Sequence, residues 1–179
     1  MEDTVVLRGR RFRLLIPPEE IERRVLSLAE EVERAFPEGE ILVVGLLKGS
    51  FVFLADLVRA FRRTVLVDFM AVSSYAGTES TGVVRVKKDL DLPVEGKNVL
   101  LVDDILDTGR TFKKVLNLLR EKNPRTLKSC VLLDKPERRV EPVEADFVGF
   151  KIPDRFVVGY GLDWDELGRQ FRGIYAMEE

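Results

Sequence analysis

Asn98-Val99-Leu100-Leu101-Val102-Asp103-Asp104-Ile105-Leu106-Asp107-Thr108-Gly109-Arg110-Thr111 is the stretch that decides the fold. Asn98 to Val102 is an apolar run of the kind expected for a strand buried on both faces. It delivers two adjacent carboxylates, Asp103 and Asp104. A short turn follows, and an amphipathic helix is predicted from Thr111 to Glu121, closed by Asn123-Pro124. Strand, turn and helix in immediate succession are half of a βαβ unit.

The flanking sequence repeats the alternation. Towards the N-terminus, Pro17-Pro18-Glu19-Glu20 reads as a helix start, with proline tolerated in the first turn. Ile21, Val25, Leu28, Val32 and Ala35 then share one helical face, and Glu22-Arg23-Arg24 is expected to face solvent. Ile41 to Leu46 is a second doubly buried strand, broken by Lys48-Gly49-Ser50. Phe51 to Phe61 reads as a helix, Thr64 to Val72 as a strand, and Val83 to Lys87 as another after a polar stretch. Gly96-Lys97 turns into the deciding strand, and Thr126 to Leu133 follows the helix. Strands alternating with helices predict an α/β fold, a central, mostly parallel, twisted sheet flanked by helices. Sites in such sheets lie at the carboxyl ends of the strands. The polar candidates here fall just after predicted strands.

The turn after Asp104 has the chemistry of a sugar-phosphate site. Amides at a helix N-terminus bind phosphate through aligned donors and the helix dipole. Gly109 lets the backbone approach closely. Thr108 and Thr111 add hydroxyl donors. Ionised Asp103 and Asp104 are acceptors only, which suits sugar hydroxyls. A capped strand-helix turn would explain any single aspartate, but not three aspartates, a glycine and two threonines in this order.

Composition narrows the mechanism. The 179 residues fit one domain, or at most a domain plus a small flap, and 45% hydrophobic residues suffice for a core. The 29 basic and 31 acidic residues nearly cancel, which argues against a nucleic-acid surface or an anionic membrane. There is no histidine, so a Ser-His-Asp triad, a Cys-His pair and histidine-ligated zinc are all excluded. A general base must be a carboxylate, lysine, tyrosine or the single thiol, Cys130, whose apolar setting marks it as a core residue. Any metal is then a hard cation held by oxygens, with magnesium the first expectation. One cysteine allows no internal disulfide. Met1-Glu2-Asp3-Thr4 lacks the basic start of a secretory signal, and the apolar runs are short, so the protein reads as cytoplasmic and unanchored. One glutamine and three asparagines among many charges hint at a thermophile.

The deciding segment resembles the phosphoribosyl-diphosphate loop of the type I phosphoribosyltransferases. Asp104-Ile105-Leu106-Asp107-Thr108-Gly109-Arg110-Thr111 is most similar to the 6-oxopurine branch, the hypoxanthine-guanine phosphoribosyltransferases. That branch usually has Glu-Asp where this chain has Asp103-Asp104, a change that keeps the charge and shortens one arm by a methylene. The resemblance runs from about Leu7 to Ala176. It implies one domain with a core at about 38–140, a hood from about 1–16 and 145–179, and a mobile loop at about 73–84.

The resemblance also implies roles. Asp103, Asp104, Asp107, Thr108, Gly109, Arg110 and Thr111 would hold the phosphoribosyl group, with Asp107 as general base. Leu46-Leu47-Lys48-Gly49-Ser50 is similar to the family's diphosphate loop, in which the Leu-Lys peptide is cis. Lys48, Gly49 and Arg169 would bind diphosphate, although Lys-Gly-Ser alone is a common turn. Ser73 to Gly82 looks like the family's closing loop, with Ser74 and Tyr75 over the reacting centre. Within Leu132-Leu133-Asp134-Lys135-Pro136, Lys135 would donate to the purine's 6-oxygen; read alone, it is an exposed lysine at a strand end. In the segment from Asp146 to Asp163, Phe156 would stack on the purine and the Val157 backbone would meet its edge. Asp163 would line the purine site and, with Asp103 and Asp104, hold Mg2+. Read alone, Phe156 is a core aromatic and Asp163 a helix N-cap. Trp164 stands where the family often has tyrosine. The implied partners are phosphoribosyl diphosphate, a 6-oxopurine base and further copies of the chain in a homodimer or homotetramer.

Two other readings compete. A non-catalytic regulator of the same fold would sense phosphoribosyl diphosphate or purines, but would be expected to add a nucleic-acid-binding extension. A phosphoacceptor receiver shares Leu-Val-Asp-Asp and Leu-Leu-Asp-Lys-Pro, but its acidic pair opens the domain, whereas about a hundred residues precede Asp103.

Overall fold

A computed structural model describes residues 3–74 and 84–179, Ser74 by its backbone alone. In chain order the elements are β1 (Thr4–Leu7), β2 (Arg10–Ile16), α1 (Pro18–Ala35), β3 (Ile41–Leu47), α2 (Phe51–Ala60), β4 (Val65–Ser74) and β5 (Val84–Lys88). They continue with β6 (Asn98–Leu106), α3 (Arg110–Arg120), β7 (Thr126–Asp134), β8 (Phe147–Lys151), β9 (Val157–Val158) and β10 (Ile174–Met177). A 3₁₀ turn at Pro136–Arg138 follows β7.

The main sheet has the order β5-β4-β3-β6-β7-β8. All its pairings are parallel except β4 with β5. Side chains alternate across it as the pleat requires. Val43, Leu100, Val102, Cys130 and Leu132 pack towards α1 and α2. Leu42, Val44, Leu101 and Val131 pack towards Phe112, Val115, Leu116 and Leu119 of α3. Burial on both faces explains why β3 and β6 read as unbroken apolar runs. Cys130 is fully buried, and that burial pushes its thiol pKa up, as befits a core residue rather than a nucleophile.

The chain leaves β3 outward through β4 and leaves β6 outward through β7. The switch point therefore lies between β3 and β6, where open α/β sheets leave a crevice for ligands. A second, four-stranded sheet of order β1-β2-β10-β9 is built from residues near both termini. Its Val157, Ile174 and Ala176 share the core of α1 and α2. Tyr160 ties this hood to α2 by donating from its hydroxyl to Asp56 Oδ2 at 2.5 Å.

Four expectations change. The strand predicted to end at Val102 runs on to Leu106, because Asp103, Ile105 and Leu106 stay in register with Val131, Leu133 and Asp134 of β7. The acidic pair thus sits inside the strand end, and the connecting loop shrinks to Asp107–Gly109. The stretch from about 145, assigned to the hood, instead contributes β8 to the edge of the main sheet. Trp164 to Leu167 is a tight antiparallel turn rather than a helix start. Arg24 is not a solvated surface residue. Its Nε donates to the Gly149 carbonyl at 2.9 Å and its Nη2 to the Val148 carbonyl at 2.7 Å, while Nη1 pairs with Glu31 at 3.1 Å.

Arg24 therefore pins α1 to the edge strand β8. Truncating it leaves two carbonyls without a charged donor, so Arg24→Ala is expected to cost about 2 kcal/mol. Urea denaturation checks this, with turnover of the folded fraction unchanged.

Candidate active site

Three segments converge at the switch point. After β3 the Leu47-Lys48 peptide is cis, as the resemblance implies. Gly49 follows, and its backbone lies directly against β6: a Cβ there would stand 2.0 Å from Asp104 Oδ2. From the other side the chain at Gly161 comes so near that a Cβ would stand 2.6 Å from the Gly49 carbonyl oxygen. The diphosphate-loop candidate, the acidic pair and the C-terminal segment are thus in mutual contact.

The next stretch of chain offers anion donors. Gly109 caps α3 with φ 87°, a left-handed conformation that favours glycine, and no side chain caps the helix. The first-turn amides of an α-helix lack intrahelical acceptors, so this end can receive a phosphate. Thr108 Oγ1 lies 3.4 Å from the Arg110 amide. The Thr108 carbonyl accepts from Val140 and Glu141 at 2.9 and 3.2 Å, anchoring the loop to the chain beyond β7. Arg110 is exposed and Thr111 half-buried in the first turn.

Asp107 sits between strand and helix and accepts from Arg138 Nε at 3.1 Å. The same guanidinium reaches Asp154 at 3.9 Å. Lys135 is 7% exposed, so it is not an exposed lysine at a strand end. Its amide is fixed to the Leu106 carbonyl at 2.9 Å. Its ammonium has no ion pair or hydrogen bond among the described residues. Phe156 is 44% exposed rather than buried in the core, with Phe12 and Trp164 rings 6.3 and 6.2 Å away. Val157 beside it is buried and pairs with Ala176 of β10.

Asp163 has its carboxylate between two neighbours. Its Oδ2 accepts from the Glu166 amide at 2.8 Å, and its Oδ1 lies 3.4 Å from Arg169 Nη2. Arg169 donates to the Gly161 carbonyl at 2.6 Å, and its buried Nε has no partner among the described residues. Lys48 Nζ reaches Glu166 at 2.9 Å.

Burial, and then the like charge of Asp104, push the Asp103 carboxyl well above the usual carboxylate range. Burial raises Asp104 as well, opposed first by its hydrogen bonding with Asp103 and the Ile105 amide and last by the charge of Arg169. An acid whose folded pKa is raised holds more protons folded than unfolded. Its stabilisation is complete below the unfolded value near 4 and is lost as pH rises through the raised folded value. The metal-free protein should therefore lose melting temperature relative to Asp103→Asn as pH rises above about 4. Parallel thermal melts of the two proteins across pH test the sign.

A half-buried acidic pair of this kind suits a cation. However, the described residues include no cluster of three or more carboxylates or thiols able to hold a metal. The expected set of Asp103, Asp104 and Asp163 is thus not gathered into one cage. The first two are adjacent on β6, where the Asp104 amide donates to Asp103 Oδ1 at 2.9 Å, and Asp163 is engaged by Arg169 and the Glu166 amide. Magnesium commonly takes only one or two protein carboxylates and completes its shell with substrate oxygens and water, and these residues fit that use. Of the loop candidates, Tyr75 and the Ser74 side chain lie outside what the structure describes. A surface hollow lined by Glu33, Phe36, Gly39 and Arg63 lies at the opposite end of the sheet, where Arg63 closes the end of α1 through the Glu33 and Phe36 carbonyls.

The pattern of the phosphoribosyl transferase domain matches residues 17–165. The chain belongs to the phosphoribosyl transferase family. A hypoxanthine-guanine phosphoribosyltransferase of Aquifex aeolicus is 56% identical over 175 residues, 97% of this chain and 98% of its own length. A hypoxanthine phosphoribosyltransferase of Buchnera aphidicola is 47% identical, covering 86% of this chain and 88% of its own. The crystal structure of a hypoxanthine-guanine phosphoribosyltransferase from Bacillus anthracis superposes with a TM-score of 0.88 at 46% identity, covering 91% of this chain and 96% of that one.

Sequence reasoning missed three residues around this phosphoribosyltransferase's site. Arg138 holds Asp107, Glu166 holds Lys48, and the Gly161 backbone presses on Gly49. A basic residue just beyond Lys135-Pro136 was a signal for the first. No pattern announces the other two, because they depend on how the hood folds over the sheet.

Proposed function

We propose that this phosphoribosyltransferase is a purine salvage enzyme that transfers the 5-phosphoribosyl group from phosphoribosyl diphosphate to N9 of hypoxanthine or guanine, giving IMP or GMP and diphosphate. The contact of Gly49 with Asp104, beside the open N-terminus of α3, carries this reading. It allows one substrate to lay its diphosphate on the first loop and its 5-phosphate on the second. Asp103 and Asp104 accept from the ribose hydroxyls between them. Lys48, Gly49 and Arg169 take the diphosphate. Bound magnesium would balance the charge of the leaving diphosphate, held by one or two of Asp103, Asp104 and Asp163 rather than by all three together.

The purine lies against Phe156, with its edge at the Val157 backbone. The ammonium of Lys135, without a partner among the described residues, donates to the 6-oxygen and disfavours adenine, whose amino group meets it badly. The C1′–O bond breaks, and diphosphate leaves with the electron pair. The N9 lone pair forms the new C1′–N9 bond, and the N7 proton passes to Asp107. Positioning and fixed charges supply most of the acceleration. By the same reading Ser74 and Tyr75 help to exclude water from the reacting centre.

Steady-state turnover with phosphoribosyl diphosphate and magnesium tests the reading. Hypoxanthine and guanine should be converted and adenine left inert. Binding of phosphoribosyl diphosphate without turnover of any base would instead identify a regulator. Among the described residues no helix is long and apolar enough to cross a membrane, which fits a cytoplasmic enzyme. The near-balance of 29 basic and 31 acidic residues argues against a nucleic-acid partner. The family's homodimer or homotetramer is assigned here as well. Scarce amides and abundant charge support adaptation to heat.

A further inference from the structure

In the reading above Lys48 and Arg169 take the diphosphate, and the present inference rests on that assignment. Both cations are already engaged by one carboxylate. Glu166 Oε2 lies 2.9 Å from Lys48 Nζ, and its Oε1 lies 3.3 Å from Arg169 Nη2. One oxygen serves each cation, so the carboxylate spans them as two oxygens of a diphosphate would.

The backbone that delivers Glu166 is unusual. Trp164 and Leu167 exchange both backbone hydrogen bonds, at 2.8 and 2.9 Å, around a two-residue tip. The tip residues Asp165 and Glu166 have φ of 54° and 70°. Two-residue tips of this hand favour Asn-Gly or Asp-Gly, so Asp165 suits its place and a residue with a Cβ is disfavoured at the second. Here the second position carries a long acidic side chain, and the amide of that same residue is locked onto Asp163 Oδ2 at 2.8 Å. The turn is thus poorly suited to its second residue but aims that residue's carboxylate across two cations. The ion pair is also exposed, with 66% of the Lys48 and 61% of the Glu166 side chain open to solvent, so an incoming anion can displace it.

We infer that Glu166 is an internal counter-anion for the diphosphate site, a positioning residue that holds Lys48 and Arg169 until it yields them to diphosphate. Binding therefore proceeds against a built-in competitor. The same competitor helps expel product diphosphate once the ribosyl group has moved.

The test is calorimetric titration of inorganic diphosphate with magnesium into the whole enzyme. Exposed ion pairs are weak, so Glu166→Gln should bind about fivefold more tightly at low salt, and the gain should shrink as salt screens the pair. The KM for phosphoribosyl diphosphate should fall by a similar factor while the KM for hypoxanthine stays unchanged. Glu166→Asp keeps the charge on an arm too short to span both cations and should fall between the two. Unchanged or weaker binding by Glu166→Gln overturns the inference. Lys48→Ala separates the two levels. If it weakens diphosphate binding while Glu166→Gln does not strengthen it, only the counter-anion role fails. If Lys48→Ala has no effect, the diphosphate assignment falls and takes this role with it.

Discussion

Asp107→Asn is expected to lower kcat about 10²- to 10³-fold while leaving the affinity for phosphoribosyl diphosphate nearly unchanged. Asparagine has the shape of aspartate and can still accept from Arg138 Nε, which holds Asp107 at 3.1 Å. What it cannot do is take the N7 proton. The loop geometry should also survive, because the Thr108 carbonyl remains anchored by Val140 and Glu141. General acid-base catalysis by a placed side chain contributes about 10²–10⁴-fold, and the loss should lie in that range. The readout is kcat with hypoxanthine beside calorimetric affinity for phosphoribosyl diphosphate. Equal losses in both would make Asp107 an anchor for the sugar phosphate rather than the base.

Asp107 also shows how much of the site was legible in the sequence. The loop from Asp103 to Thr111 declares itself because strand, carboxylates, glycine and helix are consecutive, so local pattern and local chemistry coincide. Its neighbour Arg138 lies 31 residues away and meets it only because β6 and β7 are parallel neighbours. Periodicity located β3, β6 and β7 within a few residues, since burial on both faces leaves an unmistakable apolar run. It ended β6 too early because a charged pair looks like a loop. The ladder to β7 continues regardless, since its hydrogen bonds are made by the backbone. Arg24 was misread for a related reason. Helical spacing puts it off the apolar face, but a guanidinium on a long stem can reach the carbonyls of an edge strand beside the helix. The hood hid the most. Asp163 read alone is a helix N-cap, whereas two residues of positive φ, Asp165 and Glu166, make a tight turn that brings the Glu166 carboxylate to Lys48.

Gly49→Ala is expected to raise the KM for phosphoribosyl diphosphate about 30-fold with little change in melting temperature. The φ of Gly49 lies outside the left-handed region, so alanine is compatible with the backbone and even removes some freedom from the unfolded chain. The damage is local. The new Cβ would stand 2.0 Å from Asp104 Oδ2 and 2.6 Å from its Cγ, well inside any real contact. The loop cannot easily retreat, because Gly161 presses on its other side. Asp104 must therefore turn away and surrender the contact of Oδ1 with the Ile105 amide at 2.7 Å. A carboxylate turned off its axis no longer meets the ribose hydroxyls, and one hydrogen bond to a charged group is worth about 1.5–3 kcal/mol. The KM for hypoxanthine should be unaffected, since Lys135 and Phe156 lie outside this contact. A double-mutant cycle with Asp104→Ala identifies the route. If Gly49 acts through Asp104, the second substitution adds little to the first. Additive losses would mean that alanine disturbs the diphosphate loop itself, and that the glycine serves the leaving group rather than the sugar.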